Sequence, residues 1–171
     1  MLPEKARFEL FDRMSIKTMR YVHAVPVKQA NGLVKRVYDM IAEDFFINGS
    51  LTSHSRVPEL LAGVWMGGRE AILVDDQLDR TSKEAMAATI SNINDCPYCG
   101  DMLISLVHSG GDHQAASEIF SENEQNVRDA TLRERLLWVR HVATPGCEGV
   151  LHNPFSAAQL PEAIGSVMAM S

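Results

Sequence analysis

No apolar run in the 171-residue sequence approaches the roughly 18 residues that a membrane-spanning helix needs. The first 13 residues, MLPEKARFELFDR, lack the apolar core of a signal peptide, so we expect a cytoplasmic protein. Lys and Arg are few, 16 against 22 acidic residues, and they do not cluster, which argues against a nucleic-acid partner. Together these absences predict one globular domain over residues 1–171 that binds neither membrane nor nucleic acid.

The apolar residues recur at helical spacing, and sustained strand alternation is absent. Five segments carry such a stripe: 33–45, 57–65, 86–93, 132–139 and 163–168. Residues 81–84 (TSKE) and 131–134 (TLRE) fit the capping box that opens a helix, which would give Glu84 a structural role. The pattern predicts an all-α domain of about six to eight helices.

The sequence ends in SVMAMS, which is apolar to its last residues and carries no helix stop signal. Two explanations fit this ending. Either the stripe docks on another copy of the chain, or the chain has been cut from a longer one. We expect a homo-oligomer, with the truncated C-terminus as the alternative.

The sequence has three cysteines, Cys96, Cys99 and Cys147, and this small, odd number does not suggest a structural disulfide framework. The close pair Cys96-Pro-Tyr-Cys99 has three possible roles: a redox centre, half of a metal site, or two inert thiols. A zinc site would need two more ligands, and Cys147 with His152 has no spacing typical of one.

The position of the pair favours redox chemistry. Cys96 occupies a predicted N-cap and Pro97 the first helical position, where the missing N–H costs nothing. A helix N-terminus stabilises a thiolate, and a spacing of two residues lets the sulfurs bond within one turn. A thioredoxin-like fold is excluded because a capped helix, not a strand, precedes the pair. The expected motif is a helical hairpin with CPYC at the start of its second helix.

The sequence resembles the alkyl hydroperoxidase D (AhpD)-like group of the carboxymuconolactone decarboxylase superfamily. The resemblance lies in an all-α frame that carries Glu84, eleven intervening residues and then Cys96-x-x-Cys99. The segments VKRVYDMIAEDF and RVPELLAGVWMGGREAILVDD fit as well, and the resemblance covers roughly residues 33–168. It implies a compact helical protein in trimers or larger rings. It also implies a hydroperoxide or other small-molecule substrate, an unknown dithiol reductant, and catalytic residues Cys96, Cys99 and Glu84, with no cofactor or metal.

The family places a His four residues after the second Cys, and this sequence has Leu103 there. In the family that His passes protons between thiol and glutamate. The resemblance assigns peroxide attack to Cys99 and resolution to Cys96, whereas the helix-terminus argument favours Cys96 as the thiolate. Two functions are therefore predicted. The first is a peroxidase-related thiol–disulfide oxidoreductase, and the alternative is a non-catalytic oligomeric AhpD-like protein with lost or altered activity.

Overall fold

The structure, a computed structural model, describes residues 19–171, and within them the chain is helical without a β-strand. In this described part of the chain, eight α-helices follow one another: α1 Gly32–Asp44, α2 Gly49–Thr52, α3 Pro58–Gly68, α4 Arg80–Ile93, α5 Pro97–Ser109, α6 His113–Phe120, α7 Ala130–Val142 and α8 Leu160–Met168. A π-helical turn spans Arg69–Leu73, and short 3-10 turns span Val27–Gln29, Glu124–Asn126 and Glu148–Leu151. The all-α prediction is confirmed.

The chain divides into two compact units, with the boundary between residues 68 and 69. The first holds α1 to α3, where the stripe on α1 buries Val37, Tyr38 and Ile41. The second holds the π-helical turn and α4 to α8, and it contains every predicted site residue. The single domain over residues 1–171 stays a prediction.

The second unit is built around α4, which is buried along most of its length. Its Met86 and Ile90 pack with Leu103 and Val107 of α5 and with Leu136 of α7 in one apolar cluster. Small residues make this central position possible, because Ala85, Ala87 and Ala88 are fully buried and let neighbouring helices come close. The helix carrying Glu84 is thus the centre of the unit.

The predicted capping boxes are wrong, because an Asp two residues earlier begins each helix. Asp79 is the N-cap of α4 and accepts a hydrogen bond from the Ser82 amide at 2.8 Å. Asp129 caps α7 in the same way through the Leu132 amide at 2.7 Å. A carboxylate accepts the hydrogen bonds of these otherwise unpaired amides, and the positive end of the helix dipole stabilises its negative charge. Glu84 is therefore not needed as a capping residue.

The C-terminal stripe is partly internal. Val167 and Met170 pack against the core of the second unit, whereas Met168 is 70% exposed and Ile164 is 43% exposed. The Met170 carbonyl also accepts a hydrogen bond from Asn94 Nδ2 at 2.9 Å. The homo-oligomer stays a prediction. Within residues 19–171, no helix combines the length and the apolar character that crossing a membrane requires.

Candidate functional site

Cys96 and Cys99 are joined by a disulfide, with their Cα atoms 5.5 Å apart, and Cys147 is free. Cys96 is the N-cap of α5 and Pro97 is its first residue. Both cysteines are partly exposed. The predicted pairing, and its position at the start of the second helix of a hairpin, are confirmed.

A tight turn places the pair. Helix α4 ends at Ile93, and Asp95 adopts a left-handed backbone conformation with φ of 52°. Asp tolerates this conformation better than most residues do. The turn lets the Cys96 amide donate a hydrogen bond to the Ser91 carbonyl at 3.0 Å, which ties the start of α5 to the end of α4.

Gly100, directly after the pair, is a point of close approach between α4 and α5. Asn92 Oδ1 occupies the space that a Cβ at residue 100 would need. Asn92 is fixed there because its Nδ2 donates a hydrogen bond to the Ile119 carbonyl at 3.0 Å. Glycine at this position thus sets the distance between the helix that carries the cysteines and the centre of the unit.

Leu103, where the family has its His, is a core residue with 1% of its surface exposed. It lies one turn beyond Cys99 on the same face of α5 and packs in the cluster that includes Val107. That face points into the unit. The position of the family's proton carrier is therefore filled by an apolar side chain that closes the core beneath the disulfide.

Glu84 is 2% exposed, and its Oε1 accepts a hydrogen bond from Arg80 Nε at 2.6 Å. Burial raises the pKa of Glu84, and the pairing with Arg80 opposes that rise without cancelling it. The result is a buried carboxyl that holds its proton to a higher pH than an exposed one.

The register of the hairpin separates Glu84 from the cysteines. Thr81 Oγ1 lies 3.4 Å from the Cβ position of Gly110, while Asn92 meets Gly100. Glu84 is therefore at the level of about residue 107, roughly 12 Å along α5 from Cys99 at 1.5 Å per residue. The structure brings the two cysteines together and does not bring Glu84 to them. His108 also lies at that far end of α5, where it contacts His113, and their Nδ1 atoms are 3.1 Å apart.

A cleft of about 170 Å³ opens beside Cys96. Its lining includes three carboxylates, Asp95, Asp101 and Glu122, with Ile104 and Phe120 as its apolar wall. The same apolar wall continues into a shallow groove of about 450 Å³ between α5 and α6, where Phe120 is 68% exposed. The disulfide thus borders a solvent-filled cleft that is acidic and has one apolar wall.

No motif in the sequence indicates this acidic cleft, although its composition carries a signal. Residues 84–127 contain seven Asp and Glu and no Lys or Arg. The run is easily overlooked because its carboxylates are scattered over three helices and their turns. It is the fold of the hairpin, with α6 packed beside it, that gathers three of them at one cleft.

One further cavity contains none of the predicted site residues. A cavity of about 360 Å³ lies against α7 and is lined by residues that include Trp138, His141 and His152. Across residues 19–171, no group of three or more His, Cys, Asp or Glu is arranged to hold a metal ion. Cys96 combines a reactive side chain with access to a cleft.

The chain is similar to an alkyl hydroperoxide reductase of Mycobacterium tuberculosis, with 26% identity over 145 residues. The match covers 84% of this chain and 42% of that protein, so the chain spans about two-fifths of the length of this curated relative. No family model and no solved structure matches the chain. The similarity agrees with the resemblance that Glu84 and the cysteine pair indicate.

Proposed function

We propose that this chain, which is AhpD-like, is a thiol–disulfide oxidoreductase that reduces hydroperoxides by cycling Cys96 and Cys99 between dithiol and disulfide. The observation that carries the proposal is the disulfide at the N-terminus of α5, open to solvent through its own cleft. Partly exposed thiols at a helix N-terminus have the environment in which cysteines react. The name of the curated relative supports the same chemistry.

The reaction uses both cysteines and no further redox group. In the reduced protein, the Cys99 thiolate attacks the terminal oxygen of the hydroperoxide, which breaks the O–O bond and releases an alcohol after protonation. Cys99 becomes a sulfenic acid, which Cys96 attacks through its sulfur, expelling water and forming the disulfide. The hydroperoxide has then gained two electrons, and an external dithiol must return them to the pair.

The site predicts slow peroxide chemistry. The helix N-terminus stabilises a thiolate, whereas the nearby carboxylates of the cleft disfavour one. Leu103 supplies no proton, and Glu84 is paired with Arg80 at the other end of the hairpin. A well-positioned proton carrier typically contributes about 10²-fold or more to such a reaction. We therefore expect a rate below that of family members that carry the His, with water in the open cleft providing the protons.

The alternative is a non-catalytic AhpD-like protein, and one observation favours it. The buried Leu103 shows that this chain uses the position of the family's proton carrier for packing instead. Under this alternative, Cys96 and Cys99 would still form a disulfide, but the reduced protein would consume hydroperoxide no faster than a free dithiol.

Peroxide consumption with dithiothreitol as the reductant separates the two functions. The proposal expects turnover by the wild type and by Cys147→Ser, because Cys147 lies outside the pair. It expects loss of turnover in Cys99→Ser. In Cys96→Ser, a single reaction with peroxide should leave a sulfenic acid that a dimedone probe traps on Cys99. A wild type that is no faster than dithiothreitol alone would support the non-catalytic alternative.

A further inference from the structure

We propose that Asp95, Asp101 and Glu122 make this centre select its reductant by charge, so that the disulfide is opened by a thiol with positive charge beside its sulfur. The inference rests on the proposed function, because it concerns the step that returns electrons to Cys96 and Cys99. It adds a specificity determinant, the acidic rim, defined here as these three carboxylates around the Cys96 cleft.

No cationic side chain pairs with the two aspartates of the rim in the described residues. Asp95 and Asp101 are exposed, and neither forms an ion pair with a Lys or Arg in the part of the chain that the structure describes. No Lys or Arg occurs in residues 84–127, so α5, α6 and their turns contribute none to the cleft. A thiol that approaches Cys96 therefore meets a surplus of negative charge.

Arg140 is the cation that reaches this region, and it does not neutralise the rim. Its guanidinium is held by the buried Glu124, with contacts of 2.7 and 2.8 Å, and it lies 3.6 Å from Glu122. One positive charge is thus shared between two carboxylates. Arg140 therefore compensates Glu122 only in part, and in the described residues neither Asp95 nor Asp101 has a Lys or Arg partner.

The exposed sulfur determines which bond the reductant breaks. Cys96 lines the cleft, so a thiolate that enters the cleft meets Cys96 Sγ. Its attack forms a mixed disulfide with Cys96, breaks the Cys96–Cys99 bond and leaves Cys99 as a thiolate at the helix N-terminus. A second thiol of the reductant then attacks the mixed disulfide. The reductant is oxidised to its own disulfide, and Cys96 is released as a thiol once it takes a proton from water.

The rim is close enough for its charges to act. A cleft of about 170 Å³ keeps its lining groups within roughly 8 Å of the approaching thiol, about one Debye length at physiological salt. At that distance in water, each carboxylate changes the encounter by about twofold for each unit of charge on the thiol. Asp101 counts fully and Glu122, which lies 3.6 Å from Arg140, counts about half, so for two thiols that differ by two charge units the combined effect is about tenfold at low salt.

The test compares three thiols of different charge: cysteamine, which is cationic, 2-mercaptoethanol, which is neutral, and glutathione, which is anionic. The oxidised protein is mixed with each, and the rate of Cys96–Cys99 reduction is followed by alkylation and mass spectrometry. For the wild type at low salt, we expect the cysteamine-to-glutathione rate ratio to be about tenfold higher than for Asp101→Asn/Glu122→Gln. The pKa difference between the thiols contributes equally to the rate ratio of each protein, so it does not affect the comparison between the proteins. High salt should reduce the difference.

The matched control is Glu134→Gln/Glu148→Gln, which removes two exposed carboxylates of the same unit that do not line the Cys96 cleft. Its ratio should equal that of the wild type. A ratio unchanged within twofold in the rim variant, or changed equally in the control, would overturn the inference. The experiment needs no peroxide turnover. Absence of charge selection in the wild type therefore counts against this inference alone, while absence of peroxide turnover counts against the proposed function alone.

Discussion

A methyl group at residue 100 should destabilise the protein although it removes a glycine from a helix. In an open helical position, Gly→Ala stabilises by about 1 kcal/mol through helix propensity. At Gly100, the new Cβ would occupy the position of Asn92 Oδ1. Asn92 would have to move and give up its 3.0 Å hydrogen bond to the Ile119 carbonyl.

The displacement of Asn92 decides whether the substitution stabilises or destabilises. The Ile119 carbonyl keeps the hydrogen bond that it accepts from the Glu122 amide at 3.1 Å, so the cost falls on Asn92. Its lost hydrogen bond and forced repacking together cost about 2–3 kcal/mol, which exceeds the gain in helix propensity. We expect Gly100→Ala to lower the free energy of unfolding by about 1–2 kcal/mol, measured by urea unfolding with far-UV circular dichroism on the oxidised protein. The control is Gly165→Ala in α8, where no atom lies within 4 Å of the new Cβ, and it should be neutral or stabilising.

A double-mutant cycle with Asn92→Ala makes the reasoning refutable. Once the Asn92 side chain is removed, Gly100→Ala meets no obstacle at this position and should become neutral or stabilising by up to about 1 kcal/mol. The change of sign between the two backgrounds is the decisive result. If Gly100→Ala destabilises equally in both, another contact sets the distance between α4 and α5. If it stabilises the wild type, the close approach is not rigid.

Four further predictions concern the pairing of the cysteines, the buried carboxyl of Glu84 and the partly buried carboxyl of Glu162. After mild oxidation, trypsin should release residues 84–128 lighter by two hydrogen atoms, with Cys147 alone in residues 141–171; a crosslink between these peptides would contradict the assigned pair. Burial raises the pKa of Glu84, so ionising it costs stability. The wild type should therefore lose stability relative to Glu84→Gln as the pH rises from about 4 toward neutral in urea unfolding, and parallel curves would refute this. The same variant tests the predicted catalytic role of Glu84, because peroxide turnover changed less than twofold would argue against it. Although burial alone would raise the pKa of Glu162, hydrogen bonds from Lys83 and two backbone amides lower it, so its contribution should be lost as the pH falls below about 4.5. Glu162→Gln, which leaves the buried Lys83 without its anion, should cost about 3 kcal/mol at neutral pH, and a loss below 1 kcal/mol would mean that Lys83 finds another partner.

The sequence predicted what depends on neighbours along the chain. The helical periodicity and Pro97 at the first position of a helix were enough to place the cysteine pair at the start of α5. Competition between nearby capping residues caused the errors, since Asp79 and Asp129 lie two positions before the Thr residues that fit the capping box. Spacing along one helix could have revealed the pairing of Glu84 with Arg80, four residues earlier.

The remaining features depend on packing that no local pattern records. The register of the α4–α5 hairpin determines two of them. It buries Leu103 in the core one turn beyond Cys99, and it places Asn92 against Gly100. The acidic rim also requires α6, because Glu122 follows that helix while Asp101 lies on α5. Such arrangements are fixed by contacts between helices, so the sequence alone could predict the disulfide but not its surroundings.

These surroundings have opposite effects on the two halves of the proposed cycle. Carboxylates around the Cys96 cleft oppose formation of the attacking thiolate on Cys99, whose Cα lies 5.5 Å from that of Cys96, and this slows attack on a neutral hydroperoxide. The same charges attract a cationic reductant to the disulfide. Neutralising the rim should therefore accelerate peroxide attack by the reduced protein while it slows reduction by cysteamine. A single structural change that moved both half-reactions in the same direction would point to altered access to the cleft instead of altered charge.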